Sequence, residues 1–284
     1  MTNPDSRTLR VLKEKAHTLR VDCVRMIHHA KSGHIGGSLG LADIFTALFF
    51  KILNHDPSNP DWEGRDRFVL SNGHVAPILY ASMAHAGYFP VEELMTLRKL
   101  NSRLQGHPSR TNLPGIEIST GSLGHGLGVA VGMALAARQK KQSHRVYCSI
   151  GDGESQEGSI WEAALSAGHH KLDNLTVFMD RNFIQIDGNT EDILTMEPMA
   201  DKWKAFRWHV IEANGNDFDD IFKAFEMAQN YKGKPSIILF RTKLGFPVSF
   251  MDGVSKWHGT PPKDEEAEKA LQEIEAYYQG GNKK

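Results

Sequence analysis

A chain of 284 residues that is 40% hydrophobic, 24% charged and 9% aromatic has globular composition and ample length for a large core, which excludes fibrous and disordered classes. Thirty-three basic against 34 acidic side chains leave a formal charge of −1, a balance that offers no long-range field to nucleic acid or an anionic membrane. No apolar stretch approaches the ~20 residues of a membrane helix and residues 1–7 lack the apolar region of a secretory signal, so a cytoplasmic protein is expected.

In chain order, Leu9, Leu12, Ala16, Leu19, Cys23 and Ile27 recur at three- and four-residue steps and predict an amphipathic helix, stopped by Ser32-Gly33. A second apolar segment, 41–53, follows a glycine-rich loop, and 55–67 has the Asp, Pro, Asn and Gly density of a surface connection. Residues 67–71 read as a short buried strand ending at Asn72-Gly73-His74, with helix again over 76–86. The long loop 101–122 is of a kind that is uncommon in compact domains and often functional. Residues 124–141 predict a Gly/Ala helix suited to close backbone packing rather than to solvent. Three apolar runs, 146–150, 175–179 and 236–240, are short and bounded by Gly, Asp, Asn or Pro, as strands buried on both faces are. The two cysteines, Cys23 on the first helix and Cys148 in a strand, are too few for a disulfide framework and read as small buried hydrophobes. Helical patterns lie at 156–171 and 217–231, and an acidic-fronted helix at 262–278. Strands alternating with helices predict one α/β domain over 1–284, a doubly wound, mainly parallel sheet with helices on both faces. Residues 1–7 and 279–284 are expected to fray.

In such a sheet ligands bind beyond the carboxyl ends of the strands. One strand runs into Gly151-Asp152-Gly153-Glu154-Ser155-Gln156-Glu157-Gly158 and the next into Asp180-Arg181-Asn182-Phe183-Ile184. Thirty residues separate Asp152 from Asn182, one strand–helix–strand unit, so both loops reach the same sheet edge. Flanking glycines let the backbone approach a phosphate. An Asp oxygen, an Asn amide oxygen and a backbone carbonyl form a half-shell that a diphosphate and water would complete for Mg²⁺. Taken alone, Gly-Asp-Gly reads as a tight turn and Asn182 as a helix or turn cap; their spacing carries the metal–diphosphate reading. No Gly-Lys-Ser/Thr follows, so this is not a Walker loop, and no Gly-x-Gly-x-x-Gly is formed there.

Five histidines lie in glycine-bearing loops: Ser32-Gly33-His34, Asn72-Gly73-His74, Gly106-His107-Pro108, Gly124-His125-Gly126 and Trp257-His258-Gly259. They lack the short paired spacing of a zinc site. Imidazoles in loops can bind phosphate, polarise carbonyls and exchange protons near neutral pH. His28-His29 and His169-His170 fall on helical segments and are assigned to packing or solvent.

Together with Arg65 to His74, Thr120-Gly121-Ser122-Leu123-Gly124, Gly151-Asp152-Gly153 and Gln156-Glu157-Gly158, these motifs resemble the transketolase family over nearly the whole chain in collinear order. The resemblance is to its N-terminal, thiamine-diphosphate-binding domain. It implies that Asp152, Asn182 and the Ile184 carbonyl ligate Mg²⁺ or Ca²⁺, and that Gly153, His74 and His258 hold the diphosphate. The backbone of Gly121, Ser122 and Leu123 would meet the aminopyrimidine. His34, His107 and His258 would line the substrate channel as catalytic residues, and Glu157 matches an interface carboxylate. Two positions depart from the family pattern. His125 stands where many members carry Gln and could alter contacts around the cofactor amine; Arg181 replaces an acidic or amide residue and is expected to face outward.

The family activates its cofactor with a glutamate from a second, pyrimidine-binding domain, and the expectation here is that a separate C-terminal subunit brings that domain. The resemblance implies the N-terminal subunit of a split transketolase, an α2β2 assembly that moves a two-carbon ketol unit between sugar phosphates. Alternatives are the diphosphate subunit of another thiamine enzyme, of 2-oxo acid dehydrogenase or deoxyxylulose-phosphate synthase type, and a non-catalytic thiamine-diphosphate-binding module. The collinear histidines and Gln156-Glu157-Gly158 stand against the other enzymes.

Overall fold

A computed structural model of the chain describes residues 4–280. The N-terminal apolar stripe forms α1 (Ser6–Ala30), capped by the Asp5 carboxylate on the Thr8 amide at 2.8 Å and closed by Lys31 at φ 52°. The segment after it is broken into α2 (Ile35–Gly40), α3 (Ala42–Ala47) and a π-helical turn, Leu48–Ile52. Then come β1 (Arg67–Leu70), α4 (Ala76–Ala86), α5 (His125–Gln139), β2 (Val146–Gly151), α6 (Gly158–His169) and β3 (Leu175–Arg181). A small hairpin, β4 (Ile184–Gln185) and β5 (Gly188–Asn189), leads into α7 (Thr190–Ile193) and α8 (Met199–Ala205). The chain continues through β6 (His209–Asn214), α9 (Phe218–Asn230), β7 (Ser236–Arg241), α10 (Lys256–Gly259) and α11 (Asp264–Gly280).

The five longer strands make one parallel sheet in the order β1-β2-β3-β7-β6. The chain steps from β1 to β2, β3 and β6 in one direction, then turns back through α9 to insert β7 between β3 and β6. Helices α5, α6 and α8 share one apolar layer with Cys148, Val177 and Met179, while α1, α3, α4, α9 and α11 share the other with Tyr147, Phe178 and Phe240. Successive residues of each central strand thus serve opposite layers, the period-two geometry of a strand buried on both faces. Arg20 ties the first and last helices together. It is fully buried, donates to both Asp43 oxygens at 2.8 and 2.7 Å and to the Tyr278 hydroxyl, and so pins α11 to α1.

The four expected strands are present. The edge strand β6 and helix α8 are not in the sequence reading, because β6 lacks an apolar run: His209 and Val210 are half-buried and Glu212 is exposed. The Gly/Ala helix meets its expectation on one side only. A Cβ at Gly126 would lie 2.5 Å from Ser71 Cβ, whereas Gly128 and Gly132 have nothing within 4 Å. Of the termini expected to fray, residues 6–7 and 279–280 are helical, and 1–3 and 281–284 lie outside the described residues. Both cysteines are buried and free. Among the described residues no helix is long and apolar enough to cross a membrane.

Candidate active site

Strand register positions the first part of the site. Gly151 of β2 pairs with Asp180 of β3, and Arg181 pairs with Arg241 of β7, so the loops leaving three adjacent strands open at one edge. Asp152, just beyond β2, is 2% exposed. Its Oδ1 accepts from the Gly153 amide at 2.7 Å, and its Oδ2 accepts from the Phe183 amide at 2.7 Å and from Arg181 Nη1 at 3.2 Å. Asn182 Nδ2 donates to Asp180 Oδ2 at 2.9 Å, while its Oδ1 accepts from the Ile184 amide at 2.9 Å. Asp152, Asn182 and Ile184 therefore share one hydrogen-bonded turn. Burial pushes the Asp152 carboxyl up to about 6, against the pull of Arg181. Burial also pushes Asp180 up to about 7; the Thr242 hydroxyl opposes the rise and the Asp152 charge adds to it.

Arg181 corrects the sequence reading. It does not face outward but is 3% exposed, and it donates to Asp152, to Thr190 Oγ1 at 3.0 Å, to Glu191 at 2.8 Å and to Glu197 at 2.7 Å. Three carboxylates, those of Asp152, Glu191 and Glu197, thus surround one guanidinium, and the Asp180 carboxyl lies close enough to Asp152 to feel its charge. An oxygen-rich turn with that surplus of negative charge fits a hard divalent cation.

Gly153 begins the turn that follows Asp152, and a Cβ there would meet Gln185 Cβ at 2.8 Å; only glycine lets the turn and the β4–β5 hairpin approach this closely. The hairpin tip reaches the histidines. A Cβ at Gly259, beside His258, would lie 3.2 Å from Ile186 Cδ1 and 3.6 Å from His34 Nε2.

Four of the five loop histidines converge. His34 precedes α2, His74 follows β1, His107 lies in the long loop and His258 in α10. Ring centroids are 5.1 Å apart for His34–His74, 5.8 Å for His34–His258, 5.1 Å for His74–His258 and 6.3 Å for His34–His107. All four are half-buried. Burial lowers each ring's pKa, with neighbouring imidazoles adding to the effect at His34 and His74 and Arg98 adding at His34 and His107; His34 falls to about 4. The cleft is lined with neutral imidazoles at pH 7. Gly121, at φ +146°, packs against the His107 ring, where a Cβ would sit 3.2 Å from Cγ. Ser122 is exposed and Leu123 half-buried on the turn that opens α5. His125 stands apart, exposed in the first turn of α5, and Glu157 is exposed before α6.

Several residues that join these loops escape the sequence reading. The Glu154 carboxylate is buried; Oε1 accepts from Ser71 Oγ at 2.5 Å and the Gly124 amide at 2.8 Å, and Oε2 from the Gly151 amide at 3.0 Å. It thereby links the ends of β1 and β2 to the start of α5. Arg98 donates to Ser32 Oγ at 3.2 Å and to the Gly106 carbonyl at 3.3 Å, clipping the His34 loop to the His107 loop. Asp180 stands in plain view beside Asn182, but nothing in the sequence marks it as buried. Asn72 Oδ1, Thr120 Oγ1 and His34 Nδ1 are buried polar atoms without a hydrogen-bond partner among the described residues, on the same loops that carry the histidines. Such atoms are expected at a ligand site.

Comparison with known proteins accounts for this arrangement. Residues 11–277 match the family described as transketolase, thiamine diphosphate binding domain. The chain is 43% identical over 267 residues to one of the subunits of apulose-4-phosphate transketolase from Phocaeicola vulgatus, covering 94% of each. It is 44% identical over 264 residues to 6-deoxy-6-sulfo-D-fructose transketolase subunit SqwG of a Clostridium species, covering 93% of this chain and 96% of that one. Among solved structures, transketolase from Campylobacter jejuni superposes with a TM-score of 0.88 at 38% identity, over 93% of this chain and 43% of that one. The chain spans less than half the length of that transketolase, yet nearly the full length of the two subunits. Fold, cleft and sequence lead to one assignment: the chain belongs to the transketolase family and carries its thiamine-diphosphate-binding domain.

Proposed function

We propose that this chain is the N-terminal subunit of a split transketolase, working only with a separate C-terminal subunit that carries the pyrimidine-binding domain, in an α2β2 assembly. The observation that carries the reading is the juxtaposition, at one sheet edge, of the Asp152–Asn182–Ile184 turn and a cleft of four neutral histidines. The two similar proteins of matching length, each described as a transketolase subunit, support the division into two chains. The whole of 1–284 acts as one thiamine-diphosphate-binding domain, and its two buried free thiols suit the reducing cytoplasm.

In this reading Asp152, Asn182 and the Ile184 carbonyl hold Mg²⁺ or Ca²⁺ by oxygen ligation. The Gly153 turn, His74 and His258 hold the diphosphate, and the backbone of Gly121, Ser122 and Leu123 meets the aminopyrimidine. Bound thiamine diphosphate supplies the electron sink for breaking and making the ketose carbon–carbon bond. The protein's part is binding, orientation and proton management. His34, His107 and His258 are neutral at pH 7, so each ring offers one N–H donor and one acceptor nitrogen to the hydroxyls of a sugar phosphate. A group that hydrogen-bonds a hydroxyl in this way is placed to move its proton as the bond order changes.

Co-expression with a chain bearing the pyrimidine domain, followed by a ketol-transfer assay from xylulose 5-phosphate to ribose 5-phosphate, tests the proposal. Turnover by the pair and negligible turnover by either chain alone is the expected result. Robust turnover by this chain alone would exclude the split-subunit reading, and thiamine-diphosphate binding without turnover by the pair would favour the non-catalytic module.

A further inference from the structure

Arg181 touches Asp152 on one side and the segment after β4 on the other. Its Nη1 donates to Asp152 Oδ2 and to Thr190 Oγ1, and its Nη2 to Glu191 and Glu197. Those two carboxylates organise the chain around them. Glu191 also accepts from the amides of Met196 and Glu197 at 3.2 Å, and Glu197 from the amide of Met199 at 2.7 Å. Between Asn182 and Ile184 lies Phe183, a non-glycine residue at φ 65°. Such a conformation persists only where its surroundings over-determine it. Three contacts do so here: the Phe183 amide donates to Asp152, its carbonyl accepts from the Thr190 amide at 2.9 Å, and its ring lies under the Arg181 guanidinium at 4.0 Å.

We propose that Arg181 is a positioning residue that latches segment 183–197 onto Asp152, and so fixes the spacing between the Asn182 side chain and the Ile184 carbonyl. This inference rests on the metal assignment above, but the latch itself is a property of the chain without ligand. A planar guanidinium is suited to the task, since it serves several acceptors at fixed angles where a lysine ammonium is a point charge on a flexible stem.

The test uses the full chain and its Arg181→Gln, Arg181→Lys and Glu191→Gln/Glu197→Gln variants. The double variant keeps the Arg181–Asp152 bond and changes only half-buried or exposed glutamates, so it guards against simple misfolding. Hydrogen exchange without ligand is expected to speed up by about tenfold or more at amides 183–197 in Arg181→Gln and in the double variant, with the central strands unchanged. Arg181→Lys is expected to fall between wild type and Arg181→Gln. Calorimetric titration of the reconstituted pair with Mg²⁺ at saturating thiamine diphosphate is expected to show affinity weakened by about 10- to 100-fold in Arg181→Gln. Unchanged exchange at 183–197, or a rise spread evenly over the whole chain, overturns the latch. Faster local exchange with unaltered Mg²⁺ affinity overturns its role in spacing the ligands. Failure of the wild-type pair to bind Mg²⁺ and thiamine diphosphate under the same conditions counts instead against the metal assignment, while the exchange data on this chain still judge the latch.

Discussion

The two halves of the cleft are held by opposite means. Around Asp152 the polar atoms are bound to one another: Asp152, Asp180, Asn182 and Arg181 all have hydrogen-bond partners among the described residues. Around His34 the four imidazoles make no side-chain hydrogen bond among the described residues and are fixed by ring packing at 5.1–6.3 Å instead. The contrast matches the chemistry proposed for each. A cation site gains from ligands that cannot move, since every ångström of relaxation weakens a hard-ion contact. A site that hands protons to sugar hydroxyls needs ring nitrogens free to bond with whatever arrives. Burial serves both, by making ionised acids in the first half costly without a cation beside them and by keeping the imidazoles neutral in the second.

The largest effect that would break this contrast is expected from Asp152→Ala. Loss of the charged ligand should weaken Mg²⁺-dependent thiamine-diphosphate binding by more than about 100-fold, beyond the usual effect of changing an outer partner; calorimetry that finds unaltered affinity would move the metal elsewhere. His107→Ala, assayed in the reconstituted pair, should lower kcat by about 100-fold while cofactor affinity stays within about threefold. The reverse pattern would make His107 a cofactor residue and dissolve the division between the halves.

A smaller effect is expected in the pH dependence of stability without ligand. The Asp180 carboxyl titrates at about 7 in the folded chain against an ordinary value of 3.8. The folded state therefore binds more protons than the unfolded one across pH 4–7, and this group costs stability progressively as pH rises through that window. Asp180→Asn cannot titrate, so its melting temperature should improve relative to wild type between pH 4.5 and 8. A constant difference across that range would show that Asp180 is not protonated in the fold. The smallest effect is expected from Glu154→Gln, which leaves one of three donors poorly served. A loss of ~1 kcal/mol would lower the melting temperature by about 2–4 °C in a chain of this size, and no change by calorimetry would deny Glu154 its linking role.

Much of this is legible in the amino-acid sequence. Asp152 and Asn182 declare themselves because the strand–helix–strand spacing carries both to one edge, and the histidines because each stands beside a glycine. The illegible parts share a physical cause. Arg181, Asp180 and Glu154 are charged residues buried by tertiary partners, and composition treats such residues as surface by default. The expectation that Arg181 faces outward fails because strand alternation says nothing about which acids wait at the strand's end; Glu191 and Glu197 come from a segment that no apolar periodicity marks. Strand β6 stays hidden for the converse reason, being a half-solvated edge with Glu212 on its surface. His125 shares its neighbours' glycine setting, yet the first turn of α5 carries it out to solvent.

The backward step of the chain into the sheet has a consequence for synthesis. About 55 residues separate the end of β3 from the start of β7, and Asp180 is not complete until Thr242, just past β7, donates its hydroxyl. A chain emerging from the ribosome therefore presents Asp152 and Asn182 long before the strand beside them exists, with one edge of β3 still open. His258 and the last helix, which Arg20 awaits, come later still. Ordering of the Asp152–Asn182 turn should thus be among the last events of folding, and a nascent chain halted before β7 should be prone to pair that open edge with a neighbour.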